Sequence, residues 1–474
     1  MIIEEKRKKL LNSLIGMPNL LNIPVLNEAL RKLPQLYGNF LVRNELEKLR
    51  QRILTAELSE LDTIDIEPEL LAADIARLIH DKAAPSVYPA VNAAGIILHT
   101  ALGRSPLAEE ARMAVNTAAE GYSTVAIDRY SGKRGDRYLH VQDLLCFLTG
   151  AEAACVVNNN SAATIVLLNS MAEGKEVIVS RGQLVEIGGS FRIPDVMMRS
   201  KVVMVEVGTT NKTHLRDYKN AISENTGLLL RVHASNYLIT GFTQSVPVME
   251  MADLAHKHDL PMADDIGSGC LIDLTEFGLP HEPLVQHSIR DGADLVCFSG
   301  DKMLGGPQCG IIVGKKRYID IIKKNPLVRA FRCGKLTYSA LEATLKLFLD
   351  RETLLTKHPV MRLLTRTPEE IGRKERVFLR KVKSFLDGKC ETKVINGFSQ
   401  MGSGSLPGRD IPSKVIQLKP LKMTVDDLAN RFRKNDPPVY TRIENEAVIL
   451  DFRTVFPKDL PHLQIAFEMI FKDW

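Results

Sequence analysis

The 474-residue sequence has little that would mark a membrane, secreted or metal-binding protein. No stretch approaches the roughly 18 consecutive apolar residues of a transmembrane helix, and the N-terminus, MIIEEKRKK, has no apolar signal-peptide block. The seven cysteines are scattered without a Cys-x-x-Cys pair, so the sequence predicts neither a metal site nor a disulfide framework. These absences lead us to expect a cytoplasmic protein with reduced thiols.

Composition and length predict a multidomain globular protein. The sequence is 45% hydrophobic and 25% charged, and its net charge of +5 is too small to indicate nucleic-acid binding by itself. A chain of this length is longer than a typical domain with a single hydrophobic core. We expect an N-terminal helical domain (1–70), a large α/β domain (71–345) and a small C-terminal α/β domain (346–474).

The N-terminal domain is predicted to be helical and locally basic. Helices are expected at 4–14, 25–32 and 39–57, separated by turns that contain proline. Residues 1–55 contain 10 Lys and Arg against 5 Asp and Glu. The positive charge is therefore enriched in this part of the chain.

From about residue 90 to 345, short apolar strands alternate with helical stretches. The predicted strands are 154–157, 176–180, 202–207, 227–233, 260–266, 295–299 and 310–313. Continuous apolar strands between helices are typical of a mostly parallel sheet covered on both faces. Further on, we expect helices at 337–354, 368–386 and 425–434, strands at 414–418, 439–443 and 448–452, and a last helix.

One lysine lies in a glycine-rich connection between two of these strands. Lys302 belongs to the segment SGDKMLGGPQCGIIVG at 299–314, and the strands on either side of the connection are apolar. An amine held among apolar strands has a lowered pKa and becomes nucleophilic, as a Schiff-base lysine requires. The alternative is an ordinary surface lysine in a glycine loop.

Two further segments place polar groups after strands of the same sheet. Asp265 ends a strand in MADDIGSG, at the edge where α/β sheets bind ligands, and it could hold a pyridine nitrogen protonated. Asn159, Asn160 and Ser161 lead from a strand into a helix, whose free N–H groups favour a phosphate. Taken alone, Asp265 could equally cap a turn, and the asparagines an ordinary helix start.

The order of these features resembles the fold type I family of pyridoxal-phosphate enzymes. A phosphate-binding turn, an aspartate and a glycine-flanked lysine follow one another along the chain, each after a strand. The chain is more closely similar to the bacterial selenocysteine synthases, the L-seryl-tRNA(Sec) selenium transferases. The similar segments are 92–107, 148–152, 180–189, 207–214, 233–237, 402–407 and 450–455, together with those around Asp265 and Lys302.

This resemblance implies roles for individual residues. Lys302 would carry pyridoxal 5'-phosphate as an internal aldimine, Asp265 would pair with its pyridine nitrogen, and Asp301 would assist catalysis. The phosphate of the cofactor would lie near Asn159, Asn160 and Ser161. Arg329 and Arg332 would hold the phosphate of the selenium donor, and Arg104 would be another substrate-binding arginine of the active site. From spacing alone, Arg329 and Arg332 would share one helical face, although a solvated basic face is the alternative.

The resemblance also implies the reaction and its partners. Seryl-tRNA(Sec) would lose its β-hydroxyl through an aminoacrylyl-tRNA intermediate and accept selenium from selenophosphate, giving selenocysteinyl-tRNA(Sec). The basic N-terminal helices would bind the tRNA. The subunits would form a ring-shaped homodecamer with active sites at dimer interfaces, and neither a membrane nor DNA would be a partner. Two rivals remain at this point: a related lyase acting on a small amino acid or amino sugar, and a non-catalytic tRNA-binding scaffold.

Overall fold

The structure, a computed structural model, describes residues 2–188 and 191–472. The chain forms two compact units, Met1–Pro89 and Ala90–Trp474. In the part of the chain that is described, no helix is both long and apolar enough to cross a membrane.

The first unit is helical. Its helices are α1 (Ile2–Ser13), α2 (Met17–Leu20), α3 (Pro24–Leu30), α4 (Gln35–Thr55), α5 (Leu58–Leu61) and α6 (Pro68–Ala83). The three helices predicted from the sequence are confirmed as α1, α3 and α4, with ends that differ by a few residues. Residue 70, the expected domain boundary, falls inside α6, whose buried face packs with α3 and α4 in one apolar core.

The second unit contains fifteen helices and fifteen strands within the described residues. The helices are α7 (Glu109–Glu120), α8 (Leu139–Thr149), α9 (Asn160–Ala172), α10 (Ile193–Arg199), α11 (Leu215–Ala221), α12 (Val248–Lys257), α13 (Val285–Arg290), α14 (Lys316–Lys324), α15 (Pro326–Ala330), α16 (Lys335–Leu347), α17 (Arg351–Lys357), α18 (Pro359–Leu364), α19 (Pro368–Leu386), α20 (Val425–Arg433) and α21 (Leu460–Lys472). The strands are β1 (Val91–Asn92), β2 (Ala153–Val157), β3 (Glu176–Ser180), β4 (Glu186–Ile187), β5 (Phe191–Arg192), β6 (Val203–Val207), β7 (Thr226–Val232), β8 (Met262–Gly267), β9 (Leu295–Ser299), β10 (Gly310–Gly314), β11 (Cys390–Gly402), β12 (Ser405–Pro420), β13 (Val439–Tyr440), β14 (Arg442–Glu444) and β15 (Ala447–Leu450).

A seven-stranded sheet forms the centre of this unit, in the order β2-β10-β9-β8-β7-β3-β6. The pairs from β9 to β6 are parallel, and β10 runs antiparallel to both of its neighbours. The sequence predicted these seven strands, and all seven are confirmed. The expected mostly parallel α/β sheet is therefore present.

Helices cover the sheet on both faces, which explains its continuous apolar strands. Every residue of β2, β9 and β10 is buried. Alternate residues of β2 belong to two different apolar clusters: Ala154 and Val156 to one, Cys155 and Val157 to the other. Both faces of each strand therefore meet a core, and the strands read as unbroken apolar runs.

The C-terminal part forms a four-stranded antiparallel sheet, β11-β12-β15-β14, with helices α19 to α21 around a core rich in phenylalanine. Three predictions here were wrong in extent. The strand expected at 414–418 is part of the long β11–β12 hairpin, and the strand expected at 439–443 is divided into β13 and β14. The helix expected at 337–354 ends at Leu347, because Asp350 caps a new helix by accepting the Thr353 N–H at 2.7 Å.

Candidate active site

Three neighbouring parallel strands, β7, β8 and β9, bring the predicted residues to one edge of the central sheet. Asp265 lies near the end of β8, and Lys302 lies just after the end of β9. A cavity of about 220 Å³ opens at this edge. Of the site residues predicted from the sequence, it is lined by Arg104, Asn159, Asn160, Ser161, Asp265 and Lys302.

Lys302 is buried in the connection between β9 and β10, with only 5% of its surface exposed. Burial lowers the pKa of its amine, the nearby Arg104 guanidinium lowers it further, and Asp265 and Asp301 oppose the shift. A neutral amine is thus available at a lower pH than for an exposed lysine. Gly267 lies beside the amine, and its φ of 72° favours glycine, while a Cβ there would make only an ordinary contact with Lys302 Nζ at 3.9 Å.

Asp265 is held by two side chains from the first turns of α9. Asn160 Nδ2 donates to one carboxylate oxygen at 2.9 Å, and Thr164 Oγ1 donates to the other at 2.9 Å. Burial raises the pKa of the Asp265 carboxyl, and the two hydrogen bonds oppose this shift. A positive partner would stabilise the ionised form in this buried position.

The N-terminus of α9 opens onto the same cavity. The Asn159 side chain caps the helix by accepting the Ala162 N–H at 2.8 Å, while the first N–H groups of a helix have no partner within it. β10 passes close to this turn, and a Cβ at Gly310 would collide with the backbone of Asn159. A glycine is therefore needed where the strand meets the turn.

These residues fit pyridoxal phosphate. The cavity offers an amine of lowered pKa, a buried carboxylate that forms no ion pair within the described residues, and a helix N-terminus suited to a phosphate. In addition, Asn160 Oδ1 is buried and has no hydrogen-bond partner within the described residues. A buried unpaired acceptor beside the carboxylate is consistent with a ligand that completes the site.

Arg104 and Asp301 form an ion pair at the mouth of the cavity. Arg104 Nη1 lies 2.9 Å from Asp301 Oδ2, and the two side chains are 27% and 10% exposed. Arg104 has φ of 61°, a left-handed backbone that is costly for a residue with a side chain. Arg104 lines both the cavity and an open cleft next to it, and Asp301 lines the cleft. The guanidinium of Arg104 therefore lies between the Lys302 cavity and the open cleft.

Arg329 and Arg332 do not line the Lys302 cavity. They do not share one helical face either, since α15 ends at Ala330 and Arg332 lies beyond it. Both are exposed, and neither side chain makes an ion pair or hydrogen bond within residues 2–188 and 191–472. Their segment does adjoin the phosphate turn, because the Asn158 N–H donates to the Phe331 carbonyl at 2.9 Å.

Two site residues had no role in the sequence interpretation. His233 follows β7 and lines the cavity, and burial, aided by Arg231, lowers its pKa to about 4, so the ring is neutral. Thr164 contacts Asp265. The sequence contained a signal for Thr164. Asn160 and Thr164 are four residues apart, so they lie on one face of α9, and both are polar on a helix whose other buried residues are apolar.

His358 contacts the segment that follows Lys302 and stabilises it. It is fully buried, its Nε2 lies 2.9 Å from the Leu304 carbonyl, and its Nδ1 accepts the Met361 N–H. Burial lowers its pKa to about 4, against about 6.5 in an unfolded chain. Its stabilising contribution is therefore complete above pH ~6.5 and is lost as the pH falls toward ~4.

We expect acid to destabilise the protein through this histidine. Between pH ~6.5 and ~4, its share of the unfolding free energy should fall by about 1.4 kcal/mol per pH unit. Urea-unfolding midpoints across this range measure the effect, with His358→Gln as the comparison. The variant should show a weaker pH dependence than the wild type, and equal dependence would contradict the assignment.

Residues 90–456 match the SelA family, L-seryl-tRNA selenium transferase. A relative of that name from Alkaliphilus oremlandii is 44% identical over 98% of this chain and 99% of its own length. One from Geobacter sulfurreducens is 47% identical over 89% of this chain and 90% of its own.

Among solved structures, D-glucosaminate-6-phosphate ammonia-lyase matches with a TM-score of 0.57, covering 81% of this chain and 96% of its own at 20% identity. That likeness concerns the fold, and the predicted fold type I architecture of pyridoxal-phosphate enzymes is confirmed. The match to the selenium transferases covers the strands and turns that carry Asp265 and Lys302 as well as the C-terminal sheet. The chain therefore belongs to the L-seryl-tRNA selenium transferase family.

Proposed function

We propose that the protein converts L-seryl-tRNA(Sec) to L-selenocysteinyl-tRNA(Sec), with pyridoxal 5'-phosphate as cofactor and selenophosphate as selenium donor. One observation carries the proposal. The buried Lys302 and Asp265 meet at one cavity, in a chain that aligns over 98% of its length with a relative named L-seryl-tRNA(Sec) selenium transferase.

The cofactor would be held at three points. Lys302 would bind its aldehyde carbon, Asp265 its pyridine nitrogen, and Asn159, Asn160 and Ser161 its phosphate. Bound there, pyridoxal phosphate supplies an electron sink that stabilises the negative charge left when a proton is removed from Cα. The hydrogen bonds from Asn160 and Thr164 fix the Asp265 carboxylate for this contact.

Lys302 then acts as the proton carrier. Because burial lowers the pKa of its amine, Lys302 Nζ can accept the Cα proton of the seryl group and donate a proton to the departing β-hydroxyl. Asp301 holds Arg104 through their ion pair, so its catalytic contribution is to position a cation at the mouth of the cavity.

With an ester substrate, the active-site arginines are not needed to bind a substrate carboxylate. The serine carboxyl is bonded to the tRNA, so no free carboxylate requires a guanidinium clamp. Arg104, Arg329 and Arg332 would therefore be available for the phosphate of selenophosphate, which a guanidinium binds better than an ammonium does. Arg329 and Arg332 are exposed and form no ion pair with any residue that the structure describes, which supports this role.

Replacing Arg329 or Arg332 with alanine should raise the KM for selenophosphate about 10- to 100-fold, because each would remove a charge-assisted hydrogen bond. The KM for seryl-tRNA(Sec) should change far less. Steady-state kinetics with each substrate varied in turn measures both values. Arg380→Ala, at an exposed position on α19, is the control. If only the tRNA KM rose, these arginines would belong to the RNA surface.

The first unit is proposed to bind the tRNA through α1 to α4, since residues 1–55 carry 10 Lys and Arg against 5 Asp and Glu and suit a polyanion. The positive charge does not extend over the whole unit, because residues 56–89 carry 2 Lys and Arg against 8 Asp and Glu. Deletion of residues 1–89 should leave a folded protein that binds the cofactor but has lost most of its affinity for tRNA(Sec). The cut belongs at residue 89 because a cut at 62 would expose the apolar face of α6.

Filter binding at several salt concentrations tests this proposal. Binding by the intact protein should weaken as salt rises, because phosphate contacts release counterions. Unchanged affinity and salt dependence after the deletion would place RNA recognition on the second unit.

We also propose that the protein works in the cytoplasm as a ring-shaped homodecamer with active sites at dimer interfaces. Large apolar side chains exposed on the second unit, among them Met113 and Phe147, support an interface between subunits. Sedimentation measurements of the purified protein would give the number of subunits, and a monomer would refute this assembly.

The activity has a direct assay. Purified protein is mixed with seryl-tRNA(Sec) and selenophosphate, the ester is hydrolysed, and the released amino acid is identified by mass spectrometry. The proposal predicts selenocysteine. Release of unchanged serine from a cofactor-loaded preparation would refute it.

A further inference from the structure

A second cavity of about 300 Å³ adjoins the Lys302 cavity and shares Val232 and His233 with it. The proposed chemistry assigns it no role. Eight of its 22 lining residues have aliphatic hydroxyl or amide side chains: Ser180, Gln183, Thr210, Asn211, Thr213, Thr243, Gln244 and Ser245. Together with the apolar residues of the lining, they suit a ligand that has both a flat apolar part and several hydrogen-bonding groups.

Two residues of its lining have a buried polar atom without a partner. Arg231 donates to Asp264 through Nη1, but its Nε has no partner, and neither has His233 Nε2, among the residues that the structure describes. Glu282 is only 2% exposed, and its carboxylate already has the Leu406 N–H at 3.2 Å and the Ser268 side chain as partners. Buried polar groups are nearly always paired, so Arg231 Nε and His233 Nε2 leave unmet hydrogen-bonding capacity beside the cavity.

Next to two residues of the lining, Lys212 and Thr243, the chain presents the exposed aromatic ring of Phe242. Phe242 is 87% exposed, and Lys212 Nζ lies 5.8 Å from the centre of its ring. The loop is fixed in place, because Asn211 Nδ2 donates to the Phe242 carbonyl at 2.6 Å and the Gln244 N–H donates to the Asn211 carbonyl. An aromatic face with nearby cations is the arrangement that stacks unpaired bases and neutralises their phosphates.

We propose that this second cavity binds the 3'-terminal nucleoside of the RNA that carries the seryl ester. The terminal ribose and base occupy the cavity, where the hydroxyl and amide side chains of its lining hydrogen-bond to them. The preceding base stacks on Phe242, and Lys212 and Arg409 meet the phosphates. This inference rests on the proposed function.

The position of the cavity follows the chemistry of the substrate. An ester on the terminal ribose places the nucleoside only a few bonds from the Cα that must reach Lys302. The two cavities meet at Val232 and His233, so a nucleoside in one leaves the seryl group within the other. A free amino acid would leave the second cavity, with its unpaired polar atoms, unfilled.

Binding of the trinucleotide CpCpA, labelled at its 5' end with a fluorophore, tests the proposal without any turnover. Fluorescence anisotropy is measured with the full-length, cofactor-loaded protein. Phe242→Ala should weaken binding about tenfold, since base–aromatic stacking is lost, and Gln244→Ala should weaken it to a lesser degree. Phe398→Ala removes another exposed phenylalanine, on β11, and should leave binding unchanged.

The outcomes separate this inference from the proposed function. If CpCpA does not bind the wild type, or binds Phe242→Ala and Gln244→Ala as tightly as the wild type, the nucleoside site is refuted even where seryl-tRNA(Sec) is converted. If binding follows the expected order but no selenocysteine forms, the nucleoside site stands and the proposed function fails. Equal weakening by Phe398→Ala would refute the location.

Discussion

Replacing Lys302 with alanine should reduce turnover by at least about 10²–10⁴-fold and remove the yellow colour of the cofactor-bound protein. The side chain has two tasks that alanine cannot perform, covalent attachment of the cofactor and proton transfer at Cα. Lys302 is buried in the connection between β9 and β10. No other lysine among the described residues lines this cavity, so none is placed to take over its tasks.

Initial rates, visible absorbance and mass spectrometry after borohydride reduction measure the effect of Lys302→Ala. Lys324→Ala is the matched control, because Lys324 is an exposed lysine at the end of α14. The control should keep its rate and colour. A yellow Lys302→Ala protein to which borohydride still fixes the cofactor would show that another lysine is the attachment site.

Replacing each of two adjacent aspartates of β8 with asparagine should affect different properties: kcat for Asp265 and stability for Asp264. Asp265→Asn should lose most of its kcat while its unfolding midpoint stays close to that of the wild type. The amide cannot hold a pyridine nitrogen protonated, so the electron sink is weakened. The side chain keeps its shape between Asn160 and Thr164.

Asp264→Asn should instead destabilise the protein. Asp264 is fully buried, pairs with Arg231 at 2.8 Å and accepts a hydrogen bond from Ser288 at 2.6 Å. Loss of its charge leaves a buried guanidinium without a counterion, which costs about 3–5 kcal/mol. Thermal unfolding and kcat of both variants measure the contrast. Near-normal kcat in Asp265→Asn, with a large loss in Asp264→Asn, would move the cofactor contact to Asp264.

The central sheet was predictable because its signals are local. Each of its strands is a short apolar run flanked by helical sequence, and burial on both faces keeps that run unbroken. Lys302 and Asp265 were predictable for the same reason, since each follows or ends such a strand. Parallel strands then place their carboxyl ends at one edge.

What the sequence did not predict depends on contacts between distant segments. The β11–β12 hairpin has long exposed stretches, so most of its residues carry no apolar pattern to mark them as strands. The role of His233 depends on the packing of β7 against β8, which hydropathy alone does not describe. For Arg329 and Arg332, spacing suggested one helix, but α15 ends at Ala330.

The central claim is that this cavity acts on serine esterified to tRNA(Sec), and a comparison of two substrates, each supplied separately, tests it most directly. One cofactor-loaded preparation is given selenophosphate with either seryl-tRNA(Sec) or free L-serine, and selenocysteine is quantified by mass spectrometry. We predict selenocysteine from the charged tRNA and none above background from free serine. Equal or greater conversion of free serine would contradict the account and assign the cavity to a small-molecule enzyme.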